Sequence, residues 1–391
     1  MNKKAWCVII CAVFGAIAIA ITQNKAVPCI EALQIDMNIS MTTAGWLSSI
    51  FNIIAIIIAF PAAAMVSRLG IKKACVFSIL SSLIGSVLGI CSSSVWMLML
   101  SRVIEGAGAG IIAVAVPSLI PIWFPPEKRG APTGLFTSWQ YCAQAVCFFL
   151  GTQASNTFGW RGVWFGNAAI LLIALIISFF AISEPSRAEN IAATEKHNGI
   201  ALRECLKNRP ALLISSAMLC FTFASFALVT WAASYWNARL ELSMVTANTY
   251  IGIFALISIP VVIASGWLLD RVNKKRFGLI SFSAFAIVAA AAFSLCESWQ
   301  AAVFAIIYPF TEGAIATALW ALIPLAERRP GECPSLIAMF TAFSNVGMLL
   351  GPPVAGAAAE ALGWHWVGIL IAAISILGIL AVMRCNIRKA H

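Results

Sequence analysis

Charge is scarce in this sequence. Asp, Glu, Lys and Arg make up 10% of its 391 residues and 61% are hydrophobic, whereas a soluble domain carries about 25% charged residues. A water-soluble globular chain is excluded, and a membrane protein remains. Histidine is scarcer still: His197, His365 and His391 fall in connections or near the last residue, so no metal site or histidine-based catalytic set can form within the spans. No G-x-x-x-x-G-K-[ST] phosphate loop occurs, which excludes ATP hydrolysis by this chain. No glycine loop, basic and aromatic strip or soluble module supports nucleic-acid binding. The twelve cysteines form no C-x-x-C pair, and most, such as Cys7, Cys11, Cys142, Cys147 and Cys220, lie in apolar stretches. They read as small packing residues rather than disulfides or ligands. Neither an enzyme nor a cofactor or metal is expected.

What is present is a series of apolar runs. They predict spans near residues 6–30, 44–66, 74–91, 95–124, 131–157 and 163–182, then 211–237, 244–269, 277–296, 299–325, 335–360 and 364–383. At about 20 residues per span, the chain holds twelve helices and short loops. The one long polar segment, Ser183 to Arg209, reads as a cytoplasmic linker with a short amphipathic helix around Ile200 to Leu206. The expected organisation is therefore a six-helix bundle over residues 1–182, a linker over 183–209 and a second six-helix bundle over 210–391. The opening Met-Asn-Lys-Lys resembles a signal peptide but lacks a small-x-small cleavage site, so it reads as an uncleaved first span. Of the 25 Lys and Arg residues, 21 fall in the predicted inner connections and tails. The positive-inside rule then places both termini in the cytoplasm.

The halves repeat. Leu135-Phe136-Thr137 ahead of Gly159-Trp160 matches Met339-Phe340-Thr341 ahead of Gly363-Trp364 at an offset of 204. Arg68 with Lys72-Lys73 matches Arg271 with Lys275-Arg276 at 203, and Glu105-Gly106 matches Glu312-Gly313 at 207. A duplicated six-helix unit follows, of the parallel kind whose substrate site lies near the midplane between the copies.

The segment Gly266-Trp267-Leu268-Leu269-Asp270-Arg271-Val272-Asn273-Lys274-Lys275 resembles the G-x-L-x-D-R-x-G-R-K loop of the major facilitator superfamily of transporters. Gly266 would permit close helix approach, and Asp270 with Arg271 would form an ionic latch between states. The first copy keeps Arg68 but has Ala63 and Ser67 at the glycine and aspartate positions, so its latch should be weaker. Positive-inside anchoring is the plainer alternative. Arg102-Val103-Ile104-Glu105-Gly106-Ala107-Gly108-Ala109-Gly110 resembles the family's R-x-x-x-G-x-G-x-G signature, and Gly106 and Gly110 suit tight helix packing. By that resemblance Arg102 is a buried charge tied to coupling. The antiporter subgroup carries G-x-x-x-G-P on span 5, where this chain offers only Gly151. Its Gly351-Pro352-Pro353 element lies on span 11, which weighs against drug antiport. Asn24-Lys25 followed by Pro28 is similar to the Asn-Leu-Arg-Pro element of the cyanate and nitroimidazole branch. The resemblance implies an all-α bacterial membrane protein of two pseudo-symmetric bundles in the cytoplasmic membrane.

Four ionisable residues fall inside predicted spans: Lys25, Arg102, Glu105 and Glu312. Each costs about 2.5 to 3.5 kcal/mol at a helix centre, so each needs a partner or water, and one water-filled chamber between the bundles is expected to receive all four. Arg102 and Glu105, three apart, can pair, either to orient span 4 or to serve coupling. Glu312 has no basic neighbour on its span and suits a proton carrier. The alternative is a permanently protonated acid bonded to Thr311 or Tyr308. Lys25 either snorkels outward or faces the cavity, and span 1 would be too short for the bilayer if it ended at Thr22. Substrate contacts are expected from Lys25, Asn24, Gln23, Arg102, Gln140, Tyr141, Gln144, Trp231, Tyr235 and Asn345, with Glu312 and Glu105 exchanging the coupled proton. The expected function is proton-coupled movement of a small organic or inorganic anion through the lipid bilayer by alternating access, by a monomer. A membrane potential supplies about 2.3 kcal/mol per charge per 100 mV. Proton-driven efflux of lipophilic drugs and a non-transporting sensor are the alternatives.

Overall fold

The computed structural model describes residues 3–124, 132, 135–136, 138–182, 205–269, 271–328 and 333–385. Asp270 and nearly all of the expected linker lie outside the described residues. Every regular element among the described residues is helical. The chain divides into two compact units, Met1–Asn38 with Ile50–His197, and Ile39–Ser49 with Asn198–His391.

In the first unit α1 runs Lys3–Asn24 and passes through a 3₁₀ turn, Val27–Cys29, into α2, Ile30–Met37. Pro28 occupies the turn, where its missing N–H and fixed φ stop an α-helix. After the first unit resumes come α4 (Phe51–Leu69), α5 (Ile71–Ile90), α6 (Val95–Trp123) and α7 (Trp139–Ala181), with α3 (Met41–Ser49) in the second unit. Ser94 caps α6 by accepting the Met97 N–H. α6 packs directly on α4: a Cβ added at Gly106 would lie 2.1 Å from the Phe51 carbonyl oxygen and 2.4 Å from an Ile54 methyl. Gly106→Ala should therefore destabilise the unit by about 1–3 kcal/mol, read as a lower melting temperature in detergent. An unchanged melt would mean that α4 and α6 part without cost.

α7 is continuous except at Gly159, where φ is +70°. Gly363 repeats this corner with φ +91°, between α12 (Cys333–Leu362) and α13 (Trp364–Arg384). At neither position would a Cβ meet anything within 4 Å. The requirement for glycine is therefore torsional, the left-handed region being costly for L side chains.

The second unit further contains α8 (Arg209–Leu240), α9 (Met244–Leu269), α10 (Lys274–Ala291) and α11 (Ser298–Leu322). Asn208 accepts the Ala211 N–H to cap α8 and donates to the Ala326 carbonyl. Glu297 and Gln300 form a capping box on α11. Lys275 donates to the Met383 and Cys385 carbonyls at 3.0 and 2.5 Å, placing a cation where the α13 dipole favours one. α3 sits in this unit because Glu360 of α12 accepts the Met41 N–H at 2.5 Å and the Thr42 hydroxyl at 2.7 Å. Among the described residues ten helices are long and apolar enough to cross a membrane, with α7 counted once and α10 not among them.

Candidate functional site

The first unit buries a charge cluster at the break in α1. Where that helix stops, its last carbonyls lack helical donors. Arg102 of α6 supplies two, donating to the Thr22 carbonyl at 2.5 Å and the Gln23 carbonyl at 2.9 Å. A guanidinium at a helix C-terminus also meets the negative end of the dipole. The same guanidinium donates to Glu105 Oε2 at 2.7 Å and lies 5.2 Å from the centre of the Phe51 ring.

Lys25 comes directly after α1, with its N–H still bonded to the Ile21 carbonyl. Its ammonium has three hydrogens and three acceptors: Glu105 Oε1 at 2.7 Å, Ser86 Oγ at 2.8 Å and Asn167 Oδ1 at 3.1 Å. The Trp164 ring lies 4.7 Å below it, within cation–π range. Ser86 also reaches Glu105 Oε1 at 2.8 Å. The side chains of Lys25, Arg102 and Glu105 are all 0% exposed. Of the two readings of Lys25, snorkelling outward or facing inward, the structure has the second: its ammonium turns inward to the carboxylate of Glu105 on α6. In this structure the three charged groups face one another rather than water.

A buried ion pair offsets its desolvation only when its remaining donors and acceptors are met. Here no side-chain N or O atom of the three is left without a hydrogen-bond partner, and among the described residues the two cations share one carboxylate. Beside the cluster runs an amide ladder. Gln140 of α7 donates to Gln23 Oε1 at 3.1 Å, and Gln23 donates to Asn52 Oδ1 of α4 at 3.0 Å. Asn24 is buried, its amide bonded to the Ala20 carbonyl. Tyr141 and Gln144 are half-buried on α7.

The remaining expected residues lie elsewhere. In the second unit Glu312 accepts a hydrogen bond from Ser258 at 3.4 Å. Thr311 instead donates to the Tyr308 carbonyl, and the Tyr308 hydroxyl pairs with Ser225. Trp231 donates to the Pro352 carbonyl and Tyr235 to the Leu295 carbonyl. Their rings pack around Trp364 at 6.2 and 5.9 Å. Asn345 is half-buried on α12. Arg271 stacks on Trp267 at 3.7 Å. Gly266 has open space where a Cβ would sit, so the close helix approach expected there does not occur. Asp270 lies outside the described residues, and Arg68 is on α4.

Three partners in the cluster, Ser86, Trp164 and Asn167, were not singled out from the sequence. Asn167 carried the usable signal, a lone amide in a long apolar span, where an unpaired amide is costly. No group of three or more His, Cys, Asp or Glu side chains among the described residues could hold a metal.

Comparison with known proteins gives a consistent picture. The model of the family described as Major Facilitator Superfamily matches residues 7–332. The putative niacin/nicotinamide transporter of Bacillus subtilis (strain 168) is 23% identical over 257 residues, covering 63% of this chain and 62% of that one. The probable galactarate/D-glucarate transporter of the same organism is 22% identical over 372 residues, 85% of this chain and 81% of its own. The hexuronate transporter, also of that organism, is 24% identical over 257 residues, covering 62% and 59%. The chain thus spans less than two thirds of the first and third of these. Among solved structures, a bacterial homologue of the human lysosomal transporter Spinster superposes with TM-score 0.79 at 14% identity, covering 98% of this chain and 95% of that one. A D-xylose-proton symporter gives 0.77 at 16%, covering 97% and 96%. At these identities the two structures establish the fold alone.

Proposed function

The chain belongs to the Major Facilitator Superfamily, a family of membrane transporters and not of enzymes, and on that footing we propose that it moves a small organic anion across a bacterial cytoplasmic membrane, coupled to protons. The observation that carries this reading is the charge count of the buried cluster: among the described residues, Lys25 and Arg102 share the one carboxylate of Glu105. A net positive charge held away from water is costly, and an incoming carboxylate would balance it.

The geometry supports a division of labour. Arg102 is tied to the α1 backbone, so it stays. Lys25 hangs on a flexible stem and is held by side chains alone, so it can be released. Substrate and Glu105 compete for the same ammonium, and a proton taken up by Glu105 frees Lys25 for the substrate. Glu105 is therefore the coupling carboxylate of this proposal, with Glu312 the second candidate. The ladder of Gln140, Gln23 and Asn52, with Asn24, Tyr141, Gln144 and Asn345 as further candidates, offers donors and acceptors suited to hydroxyl groups. Galactarate, D-glucarate and hexuronates, for which relatives are named, are hydroxylated carboxylates, and this supports a substrate of that class. The donors of Trp231 and Tyr235 are already engaged, which favours packing roles for both. A place in the cyanate and nitroimidazole branch rests on Asn24, Lys25 and Pro28 alone.

The architecture proposed with this function is twelve spans in two six-helix bundles, over 1–182 and 210–391, joined by the linker 183–209. α7 divides at Gly159 and α10 adds the remaining span. Both termini would be cytoplasmic and the protein would act as a monomer. The loop at Gly266, Asp270 and Arg271, with Arg68 at the matching position, would serve as the latch.

Purified protein in proteoliposomes with an imposed pH gradient provides the test, using labelled D-glucarate, D-glucuronate, nicotinate and a cationic dye. Accumulation of an anion above equilibrium is expected. Dye flux alone would replace the proposal with drug efflux, and binding without flux would replace it with a sensor. In the same assay Glu312→Gln should keep the pH dependence of uptake within about twofold, since in this reading Glu105 carries the coupled proton. A flattened pH profile would move coupling to Glu312.

A further inference from the structure

Asn167 occupies an unusual position in the cluster. Its Oδ1 faces three donors, Thr22 Oγ1 at 3.0 Å, Lys25 Nζ at 3.1 Å and Ser86 Oγ at 3.1 Å, and its Nδ2 donates to the Ala18 carbonyl at 3.3 Å. That last bond fixes the amide's orientation and turns its oxygen toward the ammonium. One turn earlier on α7, Trp164 is fully buried, and its indole N–H finds no hydrogen-bond partner among the described residues. A buried indole without a partner is costly, yet its ring lies against the Lys25 ammonium. Three and four residues apart are the spacings that place side chains on one helical face. One face of α7 thus presents to Lys25 a neutral acceptor and a π-face, neither carrying a formal charge.

We propose that Asn167, with Trp164 behind it, is a positioning residue of the anion site, which holds the Lys25 ammonium in place without neutralising it. The proposal rests on the anion-carrier reading above. The groups around Asn167 make the logic electrostatic. Lys25 stands beside it from the break after α1, with the Cys29 thiol bonded to the Lys25 carbonyl. Ser86 meets it from α5, and Glu105 of α6 is linked to it through Lys25 and Ser86, with Arg102 on the other oxygen of Glu105. An aspartate at 167 would be nearly isosteric and would give two carboxylates for two cations, removing the charge that draws a substrate anion. The amide keeps the hydrogen bond and leaves the charge.

The test uses the full chain in proteoliposomes with D-glucarate as probe. At neutral pH Asn167→Asp should raise KM about tenfold or more while Vmax changes far less. The gap should narrow under mildly acid conditions, as protonation of the new carboxyl restores the original charge. Asn167→Leu removes the acceptor but adds no charge, so its KM should rise less than that of Asn167→Asp. A merely structural asparagine predicts the reverse order, with the isosteric aspartate mild and leucine severe, and that order overturns the proposal. A second measurement needs no substrate. Asn167→Leu should lower the melting temperature in detergent at least about twice as far in the wild-type background as in Lys25→Met, because contacting residues are coupled. Equal losses in the two backgrounds also overturn it. If wild-type protein carries none of the anions, the functional reading fails while this thermal cycle still decides whether Asn167 acts through Lys25.

Discussion

Glu105→Gln should destabilise the protein more than any other change in the cluster, by about 3–5 kcal/mol, the usual cost of removing one partner from a buried ion pair. The substitution is isosteric, and the amide oxygen can still accept a hydrogen bond, so lost packing is not the cause. The cause is charge. Lys25 and Arg102, both fully buried, would be left with no carboxylate between them, and like charges that close repel strongly when water is excluded. Thermal melts of the purified variant in detergent provide the check. A melting temperature equal to wild type would mean that the two cations are compensated by something other than Glu105.

Lys25→Met should do the opposite. It deletes one cation and leaves Arg102 and Glu105 as a one-to-one pair at 2.7 Å, with the guanidinium still capping α1. The methionine stem fills much of the lysine's volume, so the fold should melt close to wild type. Transport of D-glucarate should nevertheless fall by about a hundredfold or more, because the charge that draws the anion has gone, and losing a charged hydrogen-bond partner from a buried site costs about 1.5–3 kcal/mol or more. Retained affinity would detach the substrate from Lys25 and send the search to the amide ladder. Together the two variants separate what holds the unit together from what makes it work, even though the residues touch.

Much of the fold was legible because the bilayer imposes simple rules on a chain. The runs read as spans reappear as α5, α6, α8, α9 and α13 within a few residues of their predicted ends. The short reach of a helix ending at Thr22 argued for a helix continuing past Lys25; α1 instead stops at Asn24, and the turn at Pro28 and α2 extend the segment. Less visible was α3, whose packing in the second unit depends on Glu360, a residue over 300 positions away with nothing in its local sequence to mark it. The site was half legible. Arg102 and Glu105 are three apart on one helix, a spacing that alone suggests pairing. The third member comes from the break after α1, and no local rule links Lys25 to Glu105, 80 positions further along the chain. Ser86 was hidden for another reason: serines in lipid-embedded helices commonly bond their own backbone, as Ser258 does to the Phe254 carbonyl. Gly266 shows the limit of reading by analogy, since the resemblance supplied a steric role that its surroundings do not require.

The corners at Gly159 and Gly363 bear on how such a chain reaches the bilayer. Each bend turns on a glycine in the left-handed region, where an added Cβ would meet nothing within 4 Å. A pair of helices joined in this way can take up its angle on emerging from the translocon, before any later element has been synthesised. Helices joined in this way would dock as a preformed wedge, leaving assembly fewer loose pieces to sort.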